Sequence, residues 1–211
     1  MSKIGIFGGT FNPIHNAHLE IAMEALHFVG LDQVLFIPSG CSYLKDPEEI
    51  ASRQDRLNMV KMAVGSYPEF AVSRIEIDRP GNSYTYLTLK ELREKNPRDH
   101  LYWIMGADNL YGIEHWLKPE MIFKSCSIIV TVRGDKDIAR LQEKKIRLTE
   151  KFSADIIILP MEKIPLSSTM IRERITQHHS IRDLVPEVVF RYIQEKNLYN
   201  QNIDTEEAEH E

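Results

Sequence analysis

Short apolar runs rich in β-branched and aromatic residues alternate along this chain with longer segments whose apolar positions recur every three to four residues. Ile4–Phe7 reads as a strand. The segment from about Ala17, with Leu19, Ala22, Leu26 and Val29 at near-helical spacing, reads as a helix that Gly30 stops. A strand at Gln33–Pro38 follows, then a helix at Arg53–Val64 with Leu57, Val60 and Val64 on one face, a strand at Phe70–Ile77, and a helix at Tyr84–Glu94 ending near Asn96-Pro97. Strands at Leu101–Met105, Ile128–Val132 and Ile156–Leu159, a charged helix at Ile138–Phe152, and helices near Ser168–Gln177 and Pro186–Lys196 complete the pattern. The alternation predicts an α/β fold: a Rossmann-like, doubly wound parallel sheet with helices on both faces and a small C-terminal helical extension.

Right-handed crossovers place the strand C-termini of such a sheet along one edge, where its ligands bind. Gly8-Gly9-Thr10, Pro38-Ser39-Gly40, Gly106-Ala107-Asp108 and Arg133 each follow a predicted strand, so four segments are expected at one crevice. At 211 residues the expectation is one domain over 1–200 followed by a solvated acidic tail at 201–211. That tail carries Asp204, Glu206, Glu207, Glu209 and Glu211 and no Lys or Arg, which leaves the rest of the chain neutral despite a net charge of -5. A neutral body argues against a nucleic-acid partner. Cys41 and Cys126 lie far apart and outside any Cys-x-x-Cys pattern, as expected for free thiols in a reducing compartment. The N-terminus enters a strand without a charged-then-apolar leader, and no run reaches the roughly 18 apolar residues of a membrane span. A cytoplasmic protein without a membrane partner is expected, and the sequence leaves a homo-oligomer open.

The chemistry begins at Gly8-Gly9-Thr10-Phe11-Asn12-Pro13-Ile14-His15-Asn16-Ala17-His18, just after the first strand. Glycine lets a backbone approach phosphate closely and tolerates positive φ, and the unpaired N–H groups of a helix start attract anions. His15 and His18 project from one side of that start, where imidazoles can donate hydrogen bonds to a polyphosphate. Neither the Walker Gly-Lys-Ser/Thr nor Gly-x-Gly-x-x-Gly is present, and no neighbouring carboxylate or cysteine completes a metal ligand set. A second constellation, Pro165-Leu166-Ser167-Ser168-Thr169-Met170-Ile171-Arg172, opens a later helix with consecutive hydroxyls and an arginine one turn in. One such hydroxyl commonly serves as a cap. Three with an arginine at this pitch also suit the outer phosphates of a nucleotide.

Residues 8–18 together with Ser-Ser-Thr-Met-Ile-Arg at 167–172 resemble the nucleotidyltransferase superfamily with the His-x-x-His signature. Gly81-Asn82-Ser83-Tyr84-Thr85, Gly106-Ala107-Asp108-Asn109, Trp116 and Val132-Arg133 are similar to the pattern of the bacterial nicotinate mononucleotide adenylyltransferase family, and the likeness runs from Lys3 to about Tyr199. The resemblance implies adenylyl transfer from ATP to nicotinate mononucleotide, giving deamido-NAD and pyrophosphate, with Mg²⁺ carried on the ATP and no protein-held metal. It implies His15, His18 and Arg172 as catalytic residues, with His18 nearer the reacting α-phosphate. Gly8, Gly9, Thr10, Phe11, Gly106, Asp108, Ser167, Ser168 and Thr169 would bind ATP. Lys45, Tyr84, Thr85, Trp116 and Arg133 would bind the mononucleotide, Trp116 by stacking on the pyridine ring, and Arg56 is a weaker cationic candidate.

Read without the resemblance, Trp116 also fits a partly buried core aromatic, Asp108 a helix cap, and Lys45 a solvated charge. Two positions depart from the family pattern: Asn12 where many members have Asp, and Ser42-Tyr43-Leu44 where Pro-Pro-His often precedes the lysine. The alternatives are another acceptor (nicotinamide mononucleotide or phosphopantetheine), cytidylyl transfer, or a nucleotide-binding regulator without catalysis. A class I aminoacyl-tRNA synthetase shares a similar histidine signature, but this chain lacks the room and the basic surface for tRNA.

Overall fold

Six parallel strands form one sheet in the computed structural model of the chain, which describes residues 1–40, 51–131, 138–161 and 164–200. These are β1 (Lys3–Gly9), β2 (Gln33–Pro38), β3 (Phe70–Val72), β4 (His100–Gly106), β5 (Ser127–Thr131) and β6 (Ile156–Leu159), in the order β3-β2-β1-β4-β5-β6. The helices are α1 (Asn16–Val29), α2 (Arg53–Val64), α3 (Thr85–Lys95), α4 (Ala107–Gly112), α5 (Pro119–Ser125), α6 (Ile138–Phe152), α7 (Ser168–Thr176) and α8 (Glu187–Glu195).

Chain progression runs from β1 outward to β3, then crosses to β4 and runs outward to β6 on the other side. Right-handed crossovers in opposite directions must put their helices on opposite faces. Accordingly Phe7, Phe36, Ile104 and Ile129 pack with α1, α2, α7 and α8, while Ile6, Trp103, Ile128 and Val130 pack with α3, α4, α5 and α6. Both faces are covered, which is why each central strand reads as an unbroken apolar run. The order reverses between β1 and β4, so Gly9-Thr10 and Gly106 flank the switch point where the sheet splays open.

Gly30 closes α1 in the left-handed conformation (φ 64°), with Leu31 N–H returning to the Leu26 carbonyl, as its position after the last apolar residue predicts. The doubly wound fold stands as expected, with three local differences. The strand expected over Phe70–Ile77 stops at Val72. Its partner β2 ends at Pro38, which has no N–H, and Ser73 N–H to the Phe36 carbonyl is the last bond before the chain turns away. Helices α4 and α5, of six and seven residues, have no counterpart in the hydrophobic pattern. Gly8 and Gly9 belong to β1 itself rather than to the turn after it.

Cys126 is buried, and burial pushes its thiol up to about 12, so it is an inert packing group at neutral pH. Cys41 lies outside the described residues. Among the described residues no helix is long and apolar enough to cross a membrane.

Candidate active site

The absence of a side chain at each of the paired glycines makes room for an aromatic ring. A Cβ on Gly8 would stand 2.7 Å from the Trp103 ring, and one on Gly9 would stand 3.2 Å from Phe11. Neither glycine has a positive φ; the residue that does is Phe11, at 48° and only 2% exposed. The sharp turn therefore rests on a buried aromatic held in an unfavourable backbone region, and it persists because packing fixes the ring. Phe11 meets Phe7 at 5.8 Å and His18 at 5.0 Å, both edge-on.

The turn is held from outside by its carbonyls. Arg56 Nη1 donates to the Thr10 carbonyl (2.7 Å), Arg172 Nη1 to the Asn12 carbonyl (3.1 Å), and Ser168 Oγ to the Pro13 carbonyl (2.8 Å). The Asn12–Pro13 peptide is cis. In a trans peptide the N–H points opposite to the carbonyl, so the Phe11 and Ile14 amides are turned away from these donors. Arg56 is 2% exposed and also reaches the carbonyls of Ser39 (2.7 Å), Gly40 (3.1 Å) and Ala51 (3.2 Å). It ties the loops after β1 and β2 to the start of α2, satisfying the hydrogen-bonding need of a buried cation. This is a different task from the direct phosphate contact for which it was a candidate.

At the start of α1, His15 is the N-cap residue and the two imidazoles stack at 3.7 Å between centroids. His15 N–H donates to His18 Nδ1 (3.2 Å). A ring nitrogen that accepts cannot carry the proton, so neutral His18 holds its hydrogen on Nε2 and offers it as a donor. The start of α7 is capped too, with Ser167 Oγ accepting from Met170 N–H (3.2 Å). The start of α3 differs. Its N-cap, Tyr84, makes no side-chain capping bond, leaving first-turn amides for an anionic ligand.

All three helix starts open on one cavity of about 540 Å³. Gly8, Gly9, Thr10, Phe11, His15, His18, Ser167, Ser168 and Thr169 line one part of it, and Tyr84, Thr85 and Trp116 another, with Gly106 contributing from the end of β4. Trp116 also packs partly against the α3–α6 core, so the core reading and the site reading both hold for its geometry. Asp108, exposed in the first turn of α4, and Arg172, bonded to Asn12, are not among the lining residues. Lys45 and Arg133 lie outside the described residues, as does the 42–44 departure.

Ser39, expected at the crevice, lines the cavity, as do Ser83 and Asn109, which the motifs contain without a role of their own, and Glu76, which no sequence pattern singles out. Glu76 is 5% exposed and accepts from Thr88 Oγ1 (2.6 Å), while Arg79 donates to the same hydroxyl (3.0 Å) and pairs with Glu91. Burial raises the Glu76 carboxyl above its ordinary value, against the pull of hydrogen bonds from Thr88 and Ser83. Ser83 Oγ in turn accepts from Gly40 N–H (3.0 Å). Gly40 must be glycine, because a Cβ there would lie 2.1 Å from the Glu76 carbonyl. Among the described residues no group of three or more His, Cys, Asp or Glu could hold a metal ion.

Stacked histidines at a helix start beside the switch point of a 3-2-1-4-5-6 sheet suit the phosphate chemistry of a nucleotidyltransferase. A family model described as Cytidylyltransferase-like matches residues 6–174. A probable nicotinate-nucleotide adenylyltransferase of Lachnoclostridium phytofermentans is 39% identical over 199 residues, covering 94% of this chain and 100% of that protein. One from Clostridium tetani is 40% identical over the same length, with the same coverages. The nicotinic acid mononucleotide adenylyltransferase of Plasmodium falciparum, solved in complex with NaAD, superimposes with a TM-score of 0.77 at 21% identity, over 94% of this chain and 98% of that one. The chain belongs to the cytidylyltransferase-like family and, within it, to the nicotinate-nucleotide adenylyltransferases.

Proposed function

We propose that the cavity holds ATP and nicotinate mononucleotide together and that the enzyme transfers the adenylyl group of the first to the phosphate of the second. The observation that carries this reading is the continuity of the cavity from the stacked histidines to the uncapped start of α3 and Trp116. A phosphate-recognising end and an end suited to a flat anionic ring share one space.

An acceptor phosphate oxygen attacks the α-phosphorus of ATP; the new P–O bond forms as the bond to the β-phosphate oxygen breaks, and pyrophosphate leaves with the electron pair. The attacking oxygen is already an anion, so no side chain has to remove a proton. The chain's contribution is positioning and charge stabilisation. His18 donates from Nε2 toward the α-phosphate, and His15 stacks behind it. The end of β1 at Gly8-Gly9, the turn at Thr10-Phe11 and the hydroxyls of Ser167, Ser168 and Thr169 receive the β- and γ-phosphates, with Arg172 supporting that end through the Asn12 carbonyl. Gly106 faces the adenosine from the cavity wall, and the family resemblance implies Asp108, exposed in the next turn, on the same side. The α3 amides at Thr85 and beyond receive the nicotinate carboxylate, Tyr84 and Trp116 flank the ring, and the family resemblance implies Lys45 and Arg133 as cationic partners of the mononucleotide. The hydroxyl, amide and imidazole donors of the phosphate end fit a Mg²⁺ that arrives on ATP with its own waters. Bound there on the ATP phosphates, such an ion would supply neutralisation of phosphate charge.

The test is pyrophosphate release from ATP·Mg²⁺ against nicotinate mononucleotide, nicotinamide mononucleotide and phosphopantetheine. The acid mononucleotide should give the highest kcat/KM. Equal or better turnover of the amide would overturn the acceptor assignment.

A further inference from the structure

The phosphate turn has an anchor far from it in sequence. Tyr199 Oη donates to Asn12 Oδ1 (3.0 Å), across 187 positions, and the same oxygen accepts from Ala51 N–H (3.0 Å). Asn12 is itself 1% exposed. The chain end is bent to make this contact: after α8, Asn197 and Tyr199 both adopt left-handed backbone conformations, at φ 49° and 66°. A left-handed conformation is unfavourable for an aromatic residue and persists only where the surroundings determine it. Leu198 packs beside Tyr199 against the α1/α2 core, and Leu198 N–H returns to the Ile193 carbonyl (3.0 Å), so the bend is held on both sides. The phenol is buried near the Arg172 and Arg56 guanidiniums, and burial keeps it a neutral donor at every physiological pH.

We propose that Tyr199 is a positioning residue for the triphosphate, acting through Asn12. Asn12 lies between Phe11, whose ring meets His18 at 5.0 Å, and Pro13, whose carbonyl receives Ser168 from the start of α7. A shift of Asn12 therefore moves the ring that sets His18 and loosens the contact between the two phosphate-facing helix starts. The carboxamide oxygen fixes Asn12 against α2 and against the chain end at once, while Arg172 fixes its main chain. The mononucleotide side is reached from Asn12 only indirectly, through Ala51, Arg56 and Gly40 to Ser83, the residue before Tyr84. The C-terminal segment is therefore expected to act more strongly on ATP than on the mononucleotide.

The inference rests on the adenylyl-transfer reading, and the experiment separates the two. Tyr199→Phe keeps the ring and deletes the hydroxyl; Asn12→Ala deletes its acceptor. Steady-state kinetics and calorimetric ATP binding are measured for wild type, both variants and the double variant, with thermal midpoints recorded. Tyr199→Phe should lower kcat/KM for ATP about tenfold, the scale of a small misplacement of reacting groups, and leave KM for nicotinate mononucleotide within twofold. The double variant should be no worse than Asn12→Ala alone, because both changes delete the same interaction. Tyr199→Phe with wild-type kcat/KM for ATP overturns the inference, as do multiplicative effects in the double variant or equal losses for both substrates. A wild type that binds ATP without releasing pyrophosphate sinks the reaction but not the inference, which the ATP dissociation constants then decide on the same criteria. A wild type that neither turns over nor binds ATP overturns both.

Discussion

The two ends of the cavity are built differently. At the phosphate end the recognition groups are braced by the rest of the protein. The turn has three carbonyls engaged by Arg56, Arg172 and Ser168, α1 is capped by its own histidine, and α7 by Ser167. At the α3 end, the helix start has no side-chain cap, and the loop before it is held by a chain of side chains from Glu91 through Arg79, Thr88 and Glu76 to Ser83. A braced end suits a reactant whose charge must be met at fixed positions as it redistributes, because preorganised donors need no rearrangement during the reaction. An uncapped end suits a reactant that supplies the missing acceptor itself and is recognised by shape and one carboxylate. The difference predicts that damage to the first end appears in turnover and damage to the second in substrate affinity.

The largest effect tests the braced end. His18→Ala removes the Nε2 donor and the cap on His15 N–H, and should lower kcat by about 10²–10³-fold, the loss typical of deleting one preorganised donor. The thermal midpoint should fall by no more than the few degrees that loss of one cap costs. Near-wild-type turnover would break the comparison at its stronger side. Next in size, Trp116→Ala should raise KM for nicotinate mononucleotide by roughly ten- to a hundredfold, as expected for one lost aromatic stack, with ATP binding unchanged. If KM for ATP rose equally, the two ends would not be separate subsites.

How far the molecule is legible from its sequence follows the same division. The phosphate turn is contiguous with the first strand, so the fifteen residues from Ile4 to His18 display the strand, the turn and both histidines at once. The sheet is legible because its strands are β-branched runs buried on both faces. Helices α4 and α5 span two turns or fewer, too short to show an amphipathic period. The expected third strand is too long because Ile75 and Ile77 are apolar for another reason: both are covered in a loop, Ile75 against α3 and its neighbours. Glu76 and Ser83 come together where Gly40 lets two backbones touch, a long-range contact without a local pattern. Arg56 did carry a signal: it sits four and seven residues before Val60 and Ala63, on the buried face of α2, where a cation must find carbonyls.

Smaller effects separate bracing from contact. Ser167→Ala removes the cap of α7 and should cost about 1 kcal/mol of stability, or about 2–4 °C in thermal midpoint for a protein of this size. Because Ser168 still ties α7 to Pro13, kcat/KM for ATP should fall by less than His18→Ala reduces turnover. A larger kinetic loss without a stability change would make Ser167 a ligand contact rather than a cap.

The smallest effect is a dependence on pH at the α3 end. Burial raises the Glu76 carboxyl above its ordinary value of 4.5, so the folded chain holds this proton more tightly than the unfolded chain. Stability from this group is greatest below 4.5 and falls as pH rises through the window up to the raised value. Glu76→Gln keeps an acceptor for Thr88 and abolishes the titration. The midpoint of the variant relative to wild type should therefore climb across that window and then level off. The same charge lines the cavity beside Tyr84 and Thr85, so its ionisation should also raise KM for the acid mononucleotide in wild type, and not in Glu76→Gln. Nicotinamide mononucleotide, which has no carboxylate to repel, is the control. A KM for the acid that ignores pH across the window would place its carboxylate beyond the reach of Glu76 and move the anion-binding role away from the start of α3.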